Sequence, residues 1–240
     1  MTRAEAEIQL NILFGLKKFY DLQWQVIEQL ITGKRILFIE KTGYGKSLCY
    51  QFPATQLQGV TIVFSPLIAL MRDQVRSMQD KGIRVAAINS NQEFEENKAI
   101  IAKAQNNELD ILYIAPERME NASWITAARE MKIAMIVIDE AHCISIWGQS
   151  FRPNYRRIVN LVRLLPKSFP VLATTATATL RVQADIIEQT GSDLIPLRGH
   201  LLRSNIRLYV VHVQSEDEKF FWLAKYFPRI PKTGIAHAFH

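Results

Sequence analysis

The chain has 240 residues, 48% of them apolar, and 29 basic against 23 acidic side chains give it a formal charge of +6. That suffices for one large domain, or one domain and the start of another. No apolar run approaches the about 20 residues that cross a bilayer, and no basic-then-apolar leader follows Met1, so neither a membrane nor export is expected. Cys49 and Cys143 stand far apart without partners at metal-ligand spacing and read as core thiols of a reducing compartment.

Short apolar strands alternate along the chain with amphipathic helices. The strand candidates are Arg35 to Ile39, Thr61 to Ser65, Val85 to Asn89, Ile111 to Ala115, Met135 to Asp139 and Val171 to Thr175. Most are unbroken apolar runs, as suits a sheet covered on both faces. Leu67, Met71, Val75 and Met78 form one stripe at helical spacing, and Ile158, Leu161, Val162 and Leu165 form another. The alternation predicts an α/β fold, a parallel sheet with helices on both faces. In such sheets ligands bind beyond the carboxyl ends of the strands. Past these elements, Leu208 to Val213 is either a last strand or the exit from the domain. Ser215 to Lys219 reads as a linker and Phe220 to Phe227 as the start of a helix, broken by Pro228 and Pro231. Ala236 to His240 does not read as an apolar strand, and a frayed or non-native end is expected there.

Chemistry gathers just after the strands. Behind the first comes Thr42-Gly43-Tyr44-Gly45-Lys46-Ser47 and a helix-compatible run. Glycines let the backbone curl so that its N–H groups face phosphate oxygens, and the helix N-terminus adds a positive dipole. Lys46 would reach the β- and γ-phosphates and the Ser47 hydroxyl would ligate Mg²⁺. The strict pattern has glycine where this chain has Glu40. The strand Met135-Ile136-Val137-Ile138 then delivers Asp139-Glu140-Ala141-His142. Paired carboxylates at the end of an apolar strand are costly unless a cation or ligand uses them. Asp139 would hold Mg²⁺ through water, Glu140 would deprotonate the attacking water, and His142 would couple the nucleotide to a second site. The bland alternatives are a glycine turn with an incidental lysine and a strand-to-helix turn with capping acids. The order and placement of both motifs point to NTP hydrolysis. From Ala141 to Ala184 there is no Asp or Glu, while Arg152, Arg156, Arg157, Arg163, Lys167 and Arg181 fall within it. Such a stretch suits a polyanion or a solvated helix face.

The acidic motif continues into Cys143-Ile144-Ser145-Ile146-Trp147-Gly148-Gln149-Ser150-Phe151-Arg152-Pro153-Asn154-Tyr155. This resembles the aromatic-rich loop of RecQ helicases, a branch of superfamily 2, in which the first glycine of the phosphate loop is commonly absent. Trp147 and Phe151 can stack on unpaired bases and Arg152 can bridge toward phosphates. Gln149 and Ser150 replace the family's usual His and Asp. Ser65-Pro66-Leu67-Ile68-Ala69-Leu70-Met71-Arg72-Asp73-Gln74-Val75 and Tyr113-Ile114-Ala115-Pro116-Glu117-Arg118-Met119 resemble further family segments, placing Ser65, Arg118 and Asn89-Ser90 along a phosphate track. Thr175-Ala176-Thr177 is similar to the motif joining hydrolysis to strand separation, and Arg203-Ser204-Asn205-Ile206-Arg207 to the family's Arg-Pro-Asn-Ile. In the front segment, Phe14-Gly15-Leu16-Lys17-Lys18-Phe19-Tyr20-Asp21-Leu22-Gln23, Gln23 is retained for the adenine edge. Leu16 and Tyr20 replace the family's aromatic and Arg, leaving Tyr20 to stack on the base.

The resemblance implies a RecA-like ATP-binding lobe over residues 1–213, with a linker and the start of a second RecA-like lobe over 214–240. It implies ATP and Mg²⁺ as cofactors, single-stranded or forked DNA as partner, 3′-to-5′ translocation, a monomer, and a site in the bacterial cytoplasm or eukaryotic nucleus. Two other readings stay open: an RNA-remodelling ATPase, and a nucleotide-binding fragment without turnover.

Overall fold

The computed structural model describes residues 1–240 except 90, 91, 149, 192, 202–209, 227, 228 and 230–240, and of Ala122 and Ser123 the backbone alone. By its contacts the chain divides into two units, Met1–Leu202 and Arg203–His240.

The first unit holds helices α1 Arg3–Phe14, α2 Asp21–Ile31, α3 Leu48–Ala54, α4 Ile68–Gln79, α5 Phe94–Gln105, α6 Ala122–Arg129, α7 Tyr155–Leu164 and α8 Leu180–Thr190. Its strands are β1 Arg35–Ile39, β2 Val60–Phe64, β3 Val85–Ile88, β4 Ile111–Ile114, β5 Ile133–Ile138, β6 Val171–Thr175 and β7 Leu194–Arg198. They form one seven-stranded sheet in the order β3-β4-β2-β5-β6-β1-β7, parallel throughout. Residues alternate between faces at the strand period of two. Ile36, Phe38, Val63, Tyr113, Val137 and Leu172 pack under α1 to α4, and Leu37, Ile39, Phe64, Ile114, Ile138 and Ala173 pack under the α6, α7 and α8 side. The expected fold class is the one observed.

Four of the six expected strands stop one residue early. Ser65, Asn89, Ala115 and Asp139 stand just past the ladder, at the carboxyl edge where ligands bind. The two apolar stripes fall on α4, which buries Met71 and Met78, and on α7, which buries Ile158 and Val162. Leu67 and Leu165 are the caps of those helices. Strand β7 was not expected: only Leu194 of its residues is buried. It pairs with β1 alone, and Pro196, which has no N–H to give a ladder, is tolerated on such an edge. In the second unit Glu216–Tyr226 forms helix α9. Residues 216–219, expected as linker, are therefore its first turn, because Glu216, Asp217 and Glu218 suit the positive end of a helix dipole. The expectations for residues 203–207 and 236–240, and for Ser90 and Gln149, lie outside the described residues.

Among the described residues no helix is long and apolar enough to cross a membrane. Cys49 and Cys143 are free and buried. The amino end of β1 is held by Arg35, 4% exposed, whose guanidinium donates to Leu165 O (2.8 Å) and Pro166 O (2.9 Å) and pairs with Asp193 at 3.3 Å. Removing the guanidinium strands the two carbonyl oxygens it serves and leaves the partly exposed Asp193 unpaired. Arg35→Ala is expected to cost about 1–3 kcal/mol, read as a lowered urea midpoint at unchanged slope.

Candidate active site and nucleic-acid interface

The loop Glu40 to Ser47 leaves β1 and enters α3. Gly43 and Gly45 have φ of +85° and +86°, a region that side-chain-bearing residues rarely enter. Thr42, Gly43 and Gly45 are exposed. Among the described residues, the amides of Gly43, Gly45, Lys46 and Ser47 donate to no protein acceptor, leaving a set of N–H donors at a helix N-terminus for an anion. The Lys46 ammonium donates to Glu40 O (2.8 Å) and Lys41 O (3.1 Å) of its own loop. Burial holds its pKa below the usual lysine value, and the carboxylates of Glu140, Asp139 and Glu40 push it back up. The phosphate loop and the acidic motif are thus within electrostatic reach of each other, although β6 separates β5 from β1.

Gln23 is 4% exposed. Its Oε1 accepts from Tyr20 N at 2.9 Å, and its Nε2 donates to Tyr44 O (3.1 Å) and Gly45 O (3.2 Å). The amide expected at an adenine edge also pins the phosphate loop to the start of α2. Tyr20 is exposed, its ring 5.1 Å from that of Tyr44. Burial, then Glu40, raises the Tyr44 phenol to about 12. Leu16 is also exposed.

Asp139 follows β5 and is half-buried. Its Oδ1 accepts from Thr174 Oγ1 (2.7 Å) and Glu140 N (3.0 Å), and its Oδ2 from Ser65 Oγ (3.4 Å). Burial raises its pKa, the Thr174 bond opposes this, and Glu140 adds to it. A half-buried carboxylate held above its ordinary range is the group a cation would relieve. Ser47 and Asp139 both act on the buried Tyr50 hydroxyl, one by hydrogen bond and one by charge. The residues present therefore fit a magnesium–triphosphate, with the free loop amides and Lys46 on the phosphates and Ser47 and Asp139 toward the metal. Glu140 has left-handed backbone, φ 51° and ψ 47°. Non-glycine residues in that region carry strain that collects at functional sites.

His142 joins two motifs: its Nδ1 lies 3.1 Å from Glu140 Oε2 and 3.1 Å from Thr175 Oγ1. The Cys143 sulfur and then the Glu140 carboxylate raise its pKa to about 9, so the ring is cationic at neutral pH. Thr175 Oγ1 also accepts from Thr177 N at 3.2 Å. Thr175 and Ser65 are buried and face the acidic motif, whereas Thr177 is exposed.

The aromatic loop stands at the same edge. Trp147 is 54% exposed and Phe151 36%. Trp147 N donates to Ser145 Oγ (3.2 Å), and Ser145 Oγ donates to Asp185 of α8 (2.5 Å). A Cβ on Gly148 would collide with the backbone oxygens of His142 and Ser145. Arg152 lies 3.5 Å from both Pro66 O and Glu117 Oε1, tying the loop to the segments after β2 and β4. Arg118 donates to Asn89 O at 2.9 Å. Sequence reasoning missed Thr174, Tyr155, whose hydroxyl donates to Asp139 O (3.0 Å), and the Ser145–Asp185 anchor. For Thr174 the available signal was a polar pair, Thr174-Thr175, ending an apolar strand.

Residues 20–186 match the DEAD/DEAH box helicase family. The chain is 40% identical over 199 residues to the ATP-dependent DNA helicase RecQ of Haemophilus influenzae, covering 82% of this chain and 32% of that protein. It is 43% identical over 186 residues to that of Bacillus subtilis, covering 77% and 31%. The chain thus spans about a third of the length of these curated relatives. Its fold is shared with a hypothetical ATP-dependent RNA helicase from Sulfolobus tokodaii, at TM-score 0.62 and 19% identity over 81% of this chain and 57% of that one. With its phosphate loop, its acidic motif and most of its length inside the match, the chain belongs to the DEAD/DEAH box helicase family.

Proposed function

We propose that this chain is the ATP-binding and DNA-sensing lobe of an ATP-dependent DNA helicase of the RecQ type. One observation carries the reading: a single edge of the sheet presents Lys46, Asp139 and Glu140, and His142 bridges Glu140 to Thr175 beside an exposed aromatic loop. Bound Mg·ATP supplies the phosphoanhydride whose hydrolysis drives the motor. Lys46 and the loop amides would hold its charge, Asp139 and Ser47 would hold the metal, and Glu140 would accept the proton of the attacking water. A second RecA-like lobe would complete the site with an arginine finger, worth about 10³–10⁵ in rate in related phosphoryl transfer. The isolated chain should accordingly bind Mg·ATP and single-stranded DNA weakly, hydrolyse slowly and not unwind. A motor of this kind works where DNA lies, in a bacterial cytoplasm or a nucleus, and binds forked or single-stranded substrates as a monomer.

Trp147→Ala with Phe151→Ala, in the full-length protein, is expected to keep basal ATPase within about twofold and to lose most stimulation by oligo-dT, since base stacking on aromatics is worth about 1–3 kcal/mol per base. ATPase titrated with oligo-dT and oligo-U measures both this and the nucleic-acid preference. Undiminished stimulation in the double variant would remove the sensing role, and stronger stimulation by oligo-U would favour an RNA motor.

A further inference from the structure

We propose that Arg181 and Trp147 together form one nucleotide subsite on single-stranded DNA, the indole taking a base and the guanidinium the adjoining phosphate. This rests on the aromatic loop being the DNA surface, as argued above, and adds to it a residue from a different element. The Arg181 guanidinium carbon sits 3.4 Å from the centre of the Trp147 ring, which is stacking contact. An indole has two faces, and with one in contact with Arg181 Trp147 still keeps 54% of its surface exposed, enough for a base to reach the ring. The loop holds the ring out: Trp147 N is bonded to Ser145 Oγ, Ser145 to Asp185, and Gly148 lies against backbone where a Cβ would not fit.

Apart from the Trp147 ring, the surroundings of Arg181 give its charge no partner among the described residues. It lies in the first turn of α8, a turn without an acidic residue, and a cation there opposes the helix dipole. Among the described residues it pairs with no carboxylate. Asp185, one turn on, is engaged by Ser145 and by Gln189 (2.8 Å). The side chain is exposed at the close of a stretch from Ala141 to Ala184 that has no acid. A planar cation stacked on an aromatic ring, with no hydrogen-bond acceptor for its N–H fork among the described residues, is suited to a phosphate beside a stacked base. Thr179, the N-cap of α8, follows Thr175-Ala176-Thr177 by two residues. A nucleotide seated here would therefore press on the helix leading directly from the motif that His142 contacts.

The test is oligo-dT binding by this chain, followed by fluorescence anisotropy across a series of KCl concentrations. Arg181→Ala should weaken binding about tenfold and flatten the log affinity against log salt slope by about 0.7, the share of one phosphate on a single strand. Arg181→Lys should restore the slope but only part of the affinity, because it returns the charge without the plane. Trp147→Ala should lower affinity with little change in slope. Arg181 is at the surface, and unchanged circular dichroism and melting would confirm that its variants fold. Equal or tighter binding by Arg181→Ala with an unaltered slope, while Trp147→Ala binds weakly, would overturn the pairing and make Arg181 a mere cover on the base seat. Full binding by both variants would overturn the aromatic loop as the DNA surface as well.

Discussion

Glu140→Gln in the full-length protein is expected to bind Mg·ATP with near wild-type affinity and to hydrolyse it about 10²–10⁴-fold more slowly, the usual worth of a positioned general base. The amide keeps the size of the side chain and can still accept from His142 Nδ1, now 3.1 Å from Glu140 Oε2. What it loses is the capacity to take a proton. The left-handed backbone at Glu140, φ 51°, belongs to the main chain and is unchanged by the substitution, so a loss of rate would report chemistry rather than folding. Nucleotide affinity by calorimetry and turnover by phosphate release, measured on the same sample, check the two halves. Normal turnover would remove Glu140 as the base.

Lys46→Ala is expected to weaken Mg·nucleotide binding about 10- to 100-fold, in line with about 1.5–3 kcal/mol for a charge-assisted hydrogen bond. The ammonium is half-buried and its pKa is lowered by that burial. Its present acceptors are Glu40 O and Lys41 O, neutral carbonyls that a phosphate oxyanion would outcompete. Trimming the side chain leaves the free loop amides in place, so residual weak affinity is expected rather than none. Titration of a fluorescent nucleotide into this chain measures the loss, and wild-type affinity in the variant would take Lys46 out of the site.

The sheet was legible because its strands are buried on both faces. Ile36 to Ile39 and Met135 to Ile138 are almost wholly apolar, and Gly, Lys and carboxylate punctuation follows each at once. The edge strand β7 was not legible: its short apolar run, Leu194 to Leu197, contains Pro196, which argues against a strand unless the edge is known. The motifs could be placed just after their strands, but what their residues touch could not be read. Gln23 turns to Tyr44 O and Gly45 O, and Ser65 turns inward to Asp139. Both outcomes depend on how α2 and β2 sit against neighbours distant in sequence, which no local pattern encodes. The anchors of the aromatic loop were hidden for the same reason. Asp185 and Arg181 lie in a helix whose own pattern, buried Val182 and Ile186, states which side is inside and says nothing of what the outer side holds.

The account rests on the glycine loop and the acidic pair closing over one magnesium–triphosphate. The most direct measurement is a crystal structure of this chain with Mg²⁺ and a non-hydrolysable ATP analogue. The expected density has Lys46 Nζ moved from Glu40 O onto the phosphates, the amides of Gly43 to Ser47 around them, and one magnesium ion between Ser47 Oγ and Asp139, directly or through water. Triphosphate bound elsewhere, or Lys46 still on its own loop carbonyls with no metal beside Asp139, would contradict it.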